Sequence, residues 1–188
     1  MKYLDNIPDK RQDKNTTSIQ FKKDLIEFFS DKDLETCLEV GTNRGWTTHV
    51  LSHLFKSVTT FEYNPKLVEE SKKNNQERSN ITFLQRDVTQ DWNLPRDQYD
   101  VVLIDCIHTY ENVIQDIGNS IAYRPKYLIF DDYGLPDLLG VNKAINDFAD
   151  FNKGLVEKFY IGEPKGNEPR VGKPLVDWEG VILKLHYE

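Results

Sequence analysis

The sequence predicts an α/β fold with a mostly parallel sheet and helices on both of its faces. Short apolar runs alternate with segments of helical periodicity from about residue 36 to residue 151. The run 99–106 is the most continuous of these, as expected for a parallel strand that is covered on both faces. No helical segment separates the last two strand-like runs, so one of them should be antiparallel, at or near an edge.

Composition indicates one globular domain over residues 1–188, with an apolar fraction of 38% and an aromatic fraction of 12%. The net charge of −7 disfavours a protein that binds phosphate backbones. No apolar run is long enough to cross a bilayer, and the polar N-terminus does not resemble a signal peptide. Cys37 and Cys106 both lie in predicted strands, and reduced buried thiols there favour a cytoplasmic location.

Periodicity and capping residues place the individual elements. Strands are predicted at 36–40, 57–62, 80–86, 99–106, 126–130, 155–161 and 181–187. Helices are predicted at 18–30, 46–55, 65–75, 110–121 and 140–151. Ser18 is the expected cap of the first helix, and Asn64 followed by Pro65 caps the third.

Two polar segments fall outside this alternation. Residues 1–17 are expected to form an arm or loose lid, and with the first helix (1–34) they are a candidate dimer contact. The Pro/Gly-rich loop 162–180 is a second candidate lid or dimer contact, and mobile surface loops are the alternative for both segments.

The turn after the first strand is the strongest ligand-binding signal in the chain. Gly41 and Gly45 allow positive φ and close approach, while Asn43 stands where the dinucleotide fingerprint has its middle glycine. Free N–H groups of the following helix would face a polar or anionic ligand. Glu39 could hold a cationic amino group, and Glu62 ends the second strand where an acid that binds ribose hydroxyls is expected. The alternative is a tight turn with solvated acids.

This E-x-G-x-x-x-G pattern, with an acid ending the second strand, resembles the S-adenosylmethionine site of class I methyltransferases. The helix-less final strand pair also matches their seven-stranded, Rossmann-like sheet. The resemblance implies that the cofactor contacts Glu39, Gly41, Thr42, Asn43, Gly45, Trp46, Glu62, Tyr63, Asp87, Val88 and Asp105. Asp87 could accept from the adenine amino group with Val88 packed on the ring, or it could form an Asx-turn. Tyr63 could border the adenine or cover the edge of the pocket.

Carboxylates end the two strands that follow. Asp105, Asp131 and Asp132 would repel one another, and their pKa values would rise, unless a cation lies between them. Oxygen ligands suit Mg²⁺, which could hold a substrate hydroxyl and lower its pKa. The alternative is that Asp131 or Asp132 caps the next helix.

His108 follows Asp105 by three residues and is the candidate general base, since a neutral imidazole can accept a proton near pH 7. The alternative is a surface or hydrogen-bonded core residue. The remaining histidines fall in a predicted helix or in the last strand, and we expect them to be structural: His49, His53 and His186.

A narrower resemblance rests on segments 105–111 (DCIHTYE), 130–134 (FDDYG) and 144–148 (AINDF). They are similar to the metal-dependent O-methyltransferases of sugars and small molecules of the macrocin/mycinamicin type. That resemblance implies Mg²⁺ ligands at Asp105, Asp131 and Asp132 and a base at His108. Cys106 and Ile107 depart from the Gly-Ser of that pattern.

The predicted function is therefore methyl transfer from S-adenosylmethionine to a hydroxyl of a small molecule, for example a sugar. A nicotinamide-dependent oxidoreductase, an RNA methyltransferase and a non-catalytic interaction module are the alternatives. A nucleic-acid partner is disfavoured by the charge, no membrane partner is expected, and a homodimer is considered.

Overall fold

The computed structural model describes residues 2–90, 92, 94, 95, 97–135, 137–163 and 178–187. Its strands are β1 Thr36–Val40, β2 Ser57–Glu62, β3 Ile81–Gln85, β4 Val101–Ile104, β5 Tyr127–Phe130, β6 Val156–Ile161 and β7 Gly180–Leu185. Its helices are α1 Ile19–Phe29, α2 Trp46–Leu54, α3 Pro65–Asn74, α4 Tyr110–Ile121 and α5 Leu139–Phe151, after a 3-10 turn at Lys2–Leu4. The predicted alternation of elements is confirmed.

The seven strands form one sheet in the order β3-β2-β1-β4-β5-β7-β6. The first five strands are parallel, and β7 lies antiparallel between β5 and β6. This is the Rossmann-like methyltransferase sheet, and the predicted antiparallel strand lies next to the edge.

The register of the parallel strands aligns their carboxyl ends. Val40 is paired with Phe61 and Ile104, and Ile104 is paired with Phe130. Residues that immediately follow these strands therefore emerge at one rim of the sheet. Ligands of open α/β sheets bind at such a rim.

Strand β4 is shorter than predicted, because the sheet pairing ends at Ile104. The Asp105 N–H still donates to the Val40 carbonyl (2.9 Å), but Cys106 lies beyond the strand and is only half-buried. The prediction that Cys106 lies in a strand is wrong, whereas Cys37 is buried in β1 as expected. Both thiols are free.

Caps define the helix starts largely as predicted. Ser18 Oγ accepts from the Phe21 N–H (2.9 Å), and Asn64 Oδ1 accepts from the Lys66 N–H (3.0 Å) ahead of Pro65. Helix α2 starts after Gly45, which makes no side-chain capping bond. The first N–H groups of this helix therefore face the rim without such an acceptor.

Helices cover both faces of the sheet. One core layer joins the sheet to α1 and α2 through Phe21, Leu25, Phe29, Leu51 and Phe55. The other joins it to α4 and α5 through Val113, Ile117, Val141, Ala144 and Ile145. Among the described residues, we find no helix with the length and apolar character that a membrane span needs.

Candidate functional site

Gly41 and Gly45 shape the turn between β1 and α2. Gly41 has φ +105°, and a Cβ on it would lie 1.8 Å from the Asp105 carbonyl oxygen. Gly45 has φ +76°, and Asn43 also adopts a left-handed conformation, which asparagine tolerates. Position 41 thus requires glycine because the end of β1 passes close to the end of β4. The spacing of the glycines in the sequence does not reveal this requirement.

Glu62 holds this turn from the end of β2. Its two carboxylate oxygens accept from the Asn43 N–H (2.9 Å) and the Asn64 N–H (2.8 Å). Thr42 completes the attachment, since its N–H (2.8 Å) and hydroxyl (2.7 Å) both donate to the Phe61 carbonyl. Each Glu62 oxygen can accept a further bond, so the acid can still meet a ligand hydroxyl.

A cleft of about 380 Å³ opens beside the turn at the predicted rim. It is lined by Gly41, Phe61, Glu62, Tyr63, Arg86, Asp87, Val88, Thr89, Cys106 and Ile107. The volume lies in the range of small-molecule sites. Five predicted cofactor residues thus share one cleft: Gly41, Glu62, Tyr63, Asp87 and Val88. A second cleft, of about 430 Å³, lies beside Asp100 and Lys126, away from the glycine turn.

Asp87 forms the Asx-turn that was its alternative interpretation. Its Oδ1 accepts from the N–H (3.0 Å) and the hydroxyl (2.7 Å) of Thr89, and these bonds lower the pKa of Asp87. Val88 beside it is buried. Both residues line the cleft, so an adenine contact stays a prediction for them.

Glu39 is buried beneath the turn, with 1% of its surface exposed. The hydroxyls of Thr48 and Thr60 lie 2.5 and 2.6 Å from its Oε2, and burial raises the pKa of Glu39 to about 8. A raised pKa favours the neutral form of the carboxyl group, which weakens its predicted attraction to an amino group.

The second cluster at the rim consists of Asp105, His108 and Asp132. His108 Nε2 lies 3.2 Å from Asp105 Oδ1 and 3.3 Å from Asp132 Oδ2. One ligand atom from each of the three residues falls within 4.8 Å of the others. The cluster therefore differs from the predicted set of Asp105, Asp131 and Asp132, because His108 takes part and Asp131 does not.

Asp131 instead has a buried oxygen, Oδ1, with no hydrogen-bond partner among the described residues. Burial, followed by the charges of Asp132 and Asp105, raises its pKa. Burial and Asp105 also raise the pKa of Asp132, to about 7. This is the electrostatic cost expected when carboxylates converge without a cation.

Neither acid caps the following helix. Helix α5 begins at Leu139 after Leu138, which makes no side-chain capping bond. The capping alternative for Asp131 and Asp132 is therefore wrong.

The hydrogen bond that His108 makes to Asp105 raises the pKa of His108, outweighing burial, which lowers it. His108 is neither on the open surface nor in the core, since a third of its side chain is exposed at the rim. Its Nε2 is the nitrogen that faces both carboxylates.

Lys22 on α1 is a fully buried lysine that was not predicted from the sequence. Its Nζ donates to Thr16 Oγ1 (2.9 Å), the Thr17 carbonyl (2.6 Å) and Thr17 Oγ1 (2.7 Å). Burial lowers the pKa of Lys22 to about 8, although Asp131 opposes this effect. Its spacing with Phe21 and Leu25 on the apolar face of α1 is the signal that could have identified it.

Asp13 was missed as well. Its Oδ2 accepts from Arg44 Nη1 (2.7 Å) and lies 3.4 Å from Trp46 Nε1. The N-terminal arm is therefore attached to the glycine turn, so it lies against the site, as the lid prediction requires. Most of the other predicted lid, residues 164–177 of the loop 162–180, falls outside the described residues.

Structural comparison finds the same fold in several methyltransferases. The O-methyltransferase from Bacillus cereus in complex with SAH has a TM-score of 0.67 and 16% identity, over 98% of this chain and 86% of that one. TomG from Streptomyces achromogenes, an O-methyltransferase in complex with SAM, has a TM-score of 0.64 and 16% identity, over 92% and 82%. An rRNA methylase from Streptococcus thermophilus has a TM-score of 0.64 and 12% identity, over 87% and 93%.

Sequence comparison adds a match over part of the chain. No curated protein matches this chain. Residues 37–122, from β1 through α4, match a family model described as a methyltransferase domain. This match spans just under half of the chain, and it shows that the segment carrying the glycine turn is similar to a methyltransferase domain.

Proposed function

We propose that this protein transfers the methyl group of S-adenosylmethionine to a hydroxyl oxygen of a small molecule, with sugars as one acceptor class. The observation that carries the proposal is the adjacency of the cleft and the Asp105–His108–Asp132 cluster. Cys106 and Ile107 line the cleft, and Asp105 and His108 flank them in the chain. A cofactor in the cleft would therefore lie beside groups that can bind and deprotonate an acceptor.

The cleft offers the contacts that S-adenosylmethionine needs. Glu62 stands where it can accept from ribose hydroxyls, and Val88 provides an apolar wall for the adenine. The uncapped start of α2 after Gly45 suits the methionyl carboxylate. The buried Glu39 is the least supported of the predicted contacts, and we assign it first to the support of the turn.

The rim cluster fits a divalent cation such as Mg²⁺. Asp105 and Asp132 supply carboxylate oxygens, and Asp131, which has a buried oxygen without a partner among the described residues, is the chain neighbour of Asp132. Such an ion, when bound, supplies a positive charge that lowers the pKa of a coordinated hydroxyl. It would also relieve the repulsion that raises the pKa values of Asp131 and Asp132.

His108 is the proposed general base. It would take the proton of the acceptor hydroxyl as that oxygen attacks the methyl carbon and the sulfonium sulfur leaves with the bonding electrons. Its Nε2 also lies within reach of both carboxylates, so a ligand role is the competing assignment. Most of the rate gain would come from holding two reactants in line.

Calorimetry tests the cofactor assignment. We expect S-adenosylhomocysteine to bind and NADH not to bind, and Glu62→Ala to weaken S-adenosylhomocysteine binding at least tenfold. A wild-type protein that binds NADH but not S-adenosylhomocysteine would establish the oxidoreductase alternative instead.

The acceptor and the base require a separate experiment. Mass spectrometry of an extract incubated with labelled S-adenosylmethionine should reveal an O-methylated product whose formation requires Mg²⁺. His108→Gln should lose at least a hundredfold in rate and, if His108 is the base, retain Mg²⁺ affinity. Loss of Mg²⁺ affinity in the same variant would make His108 a ligand, and an unchanged rate would remove it from the mechanism.

Location and assembly belong to the same proposal. The free thiols Cys37 and Cys106 are consistent with a reducing compartment, so we propose a cytoplasmic protein. A homodimer through the N-terminal arm or the 162–180 loop stays a prediction, and light scattering would test it.

A further inference from the structure

Two histidines lie one turn apart on α2, outside the site described above. His49 Nε2 and His53 Nε2 are 3.3 Å apart. We propose that this pair forms a second metal site, one that takes a transition-metal ion such as Zn²⁺, Ni²⁺ or Cu²⁺. The sequence predicts a structural role for both residues, and the metal site does not depend on the methyl-transfer reaction.

The distance between the two nitrogens matches what such an ion requires. Imidazole nitrogens bind Zn²⁺ at about 2.0–2.1 Å, so two of them in a tetrahedral shell are about 3.3–3.4 Å apart. The side chains already stand at that separation on one face of the helix, as residues four apart do. The two nitrogens share a hydrogen bond in the protein without metal, and an ion would take the place of the proton between them.

The neighbouring hydrogen bonds determine which nitrogen of His49 carries its proton. Asn75 Nδ2 donates to the Gly45 carbonyl (3.0 Å) and the Ser71 carbonyl (2.9 Å), so its Oδ1 is the atom that faces His49 Nδ1 (3.1 Å). His49 Nδ1–H therefore donates to Asn75, and His49 Nε2 presents a lone pair toward His53. An outer hydrogen bond of this kind orients metal-bound histidines in proteins.

The surroundings favour a neutral ligand at His49. Burial lowers the pKa of His49, with Arg78 acting in the same direction and the hydrogen bond to Asn75 and the charge of Glu77 opposing it. Tyr3 stacks on the His53 ring (centroids 4.6 Å apart, planes 22° apart) and holds it in place. Both imidazoles are half-buried, so they are still reachable from solvent.

This site differs from the rim cluster in its position and in its ligand atoms. Two imidazoles suit zinc, nickel and copper, whereas Mg²⁺ prefers oxygen ligands. Asn75 also joins the site to the glycine turn, because the amide that orients His49 holds the Gly45 carbonyl.

Nuclear magnetic resonance of the wild-type imidazoles tests the site without any variant. On addition of ZnCl₂ we expect the Nε2 resonances of both His49 and His53 to shift, and MgCl₂ to leave them in place. Nε2 resonances that do not move in a tenfold excess of ZnCl₂ would overturn the proposal.

Titration calorimetry with NiCl₂ provides the second test, in an Asp132→Asn background that disables the rim cluster. His53→Gln should weaken Ni²⁺ binding at least tenfold. The matched control, His186→Gln, removes a histidine that is bound to Glu157 at the far end of the sheet, and it should bind as the background does. Equal affinities in the His53→Gln protein and its background would refute the pair as ligands.

Discussion

At the scale of single residues, Glu39 belongs to the predicted glycine motif, but its pKa differs from that of an ordinary carboxylate. Sequence spacing puts it two positions before Gly41, but burial raises its pKa, although the hydrogen bonds from Thr48 and Thr60 act in the opposite direction. Its folded-state pKa of about 8 lies above the ordinary value of 4.5. The stability that this proton contributes is thus complete below about pH 4.5 and is lost as the pH rises through about 8.

Glu39→Gln should remove that dependence, because glutamine has no proton to lose. Relative to the wild type, we expect the free energy of unfolding of the variant to rise by on the order of a few kcal/mol between about pH 5 and pH 9. Urea unfolding at the two pH values measures the difference. If the free energies of unfolding of the variant and the wild type differ by the same amount at both pH values, Glu39 does not titrate in this range.

Gly41 gives a sharper prediction, because a Cβ atom at this position would collide with an identified atom, the Asp105 carbonyl oxygen. Gly41→Ala would place a methyl group against the Asp105 carbonyl at a positive φ. We expect a loss of at least about 2 kcal/mol in the free energy of unfolding. The matched control is Gly118→Ala in α4, where no atom lies within 4 Å, and a gain of about 0.5–1 kcal/mol is expected there. Similar changes in both variants would contradict the packing argument.

At the scale of elements, the N-terminal arm depends on contacts far away in the chain. Asp13 attaches it to Arg44 in the glycine turn and to Trp46 at the start of α2, and Lys22 on α1 binds Thr16 and Thr17. A segment that reads as polar and loose in sequence is thereby ordered against the rim.

Asp13→Ala should loosen this arm. The arm contains Lys10, Arg11 and Lys14, so limited digestion with trypsin should cut it several times faster in the variant. Asp31→Ala is the matched control, because it removes an exposed ion pair with Lys32 at the other end of α1. Equal cleavage rates in Asp13→Ala and the control would show that the Asp13 contacts do not hold the arm.

At the scale of the whole molecule, fold alone does not select the acceptor. An rRNA methylase from Streptococcus thermophilus shares the fold with O-methyltransferases. The net charge of −7 distinguishes this chain from proteins that rely on phosphate contacts.

We therefore expect no retention of RNA in a filter-binding assay, even at about 50 mM salt, where non-specific phosphate contacts are strongest. A basic RNA-binding protein under the same conditions is the positive control. Salt-sensitive retention of RNA by this protein would reopen the RNA methyltransferase alternative.

Local and periodic features were predictable from the sequence alone. The order of strands and helices, the Ser18 and Asn64 caps and the acids at the strand ends all follow from side-chain spacing and backbone preference, which act over a few residues. The parallel register then brings those strand ends to one rim, so the position of the site was predictable as well.

Only the tertiary structure decided which side chains meet at that rim and in what state. In the structure, His108 lies beside Asp105 and Asp132, whereas Asp131 lies outside the cluster. Lys22 and Glu39 are buried, and β4 ends at Ile104. The physical reason is that side-chain direction, burial and charge depend on neighbours tens of residues away. Asp105 meets Asp132 only because β4 and β5 are paired.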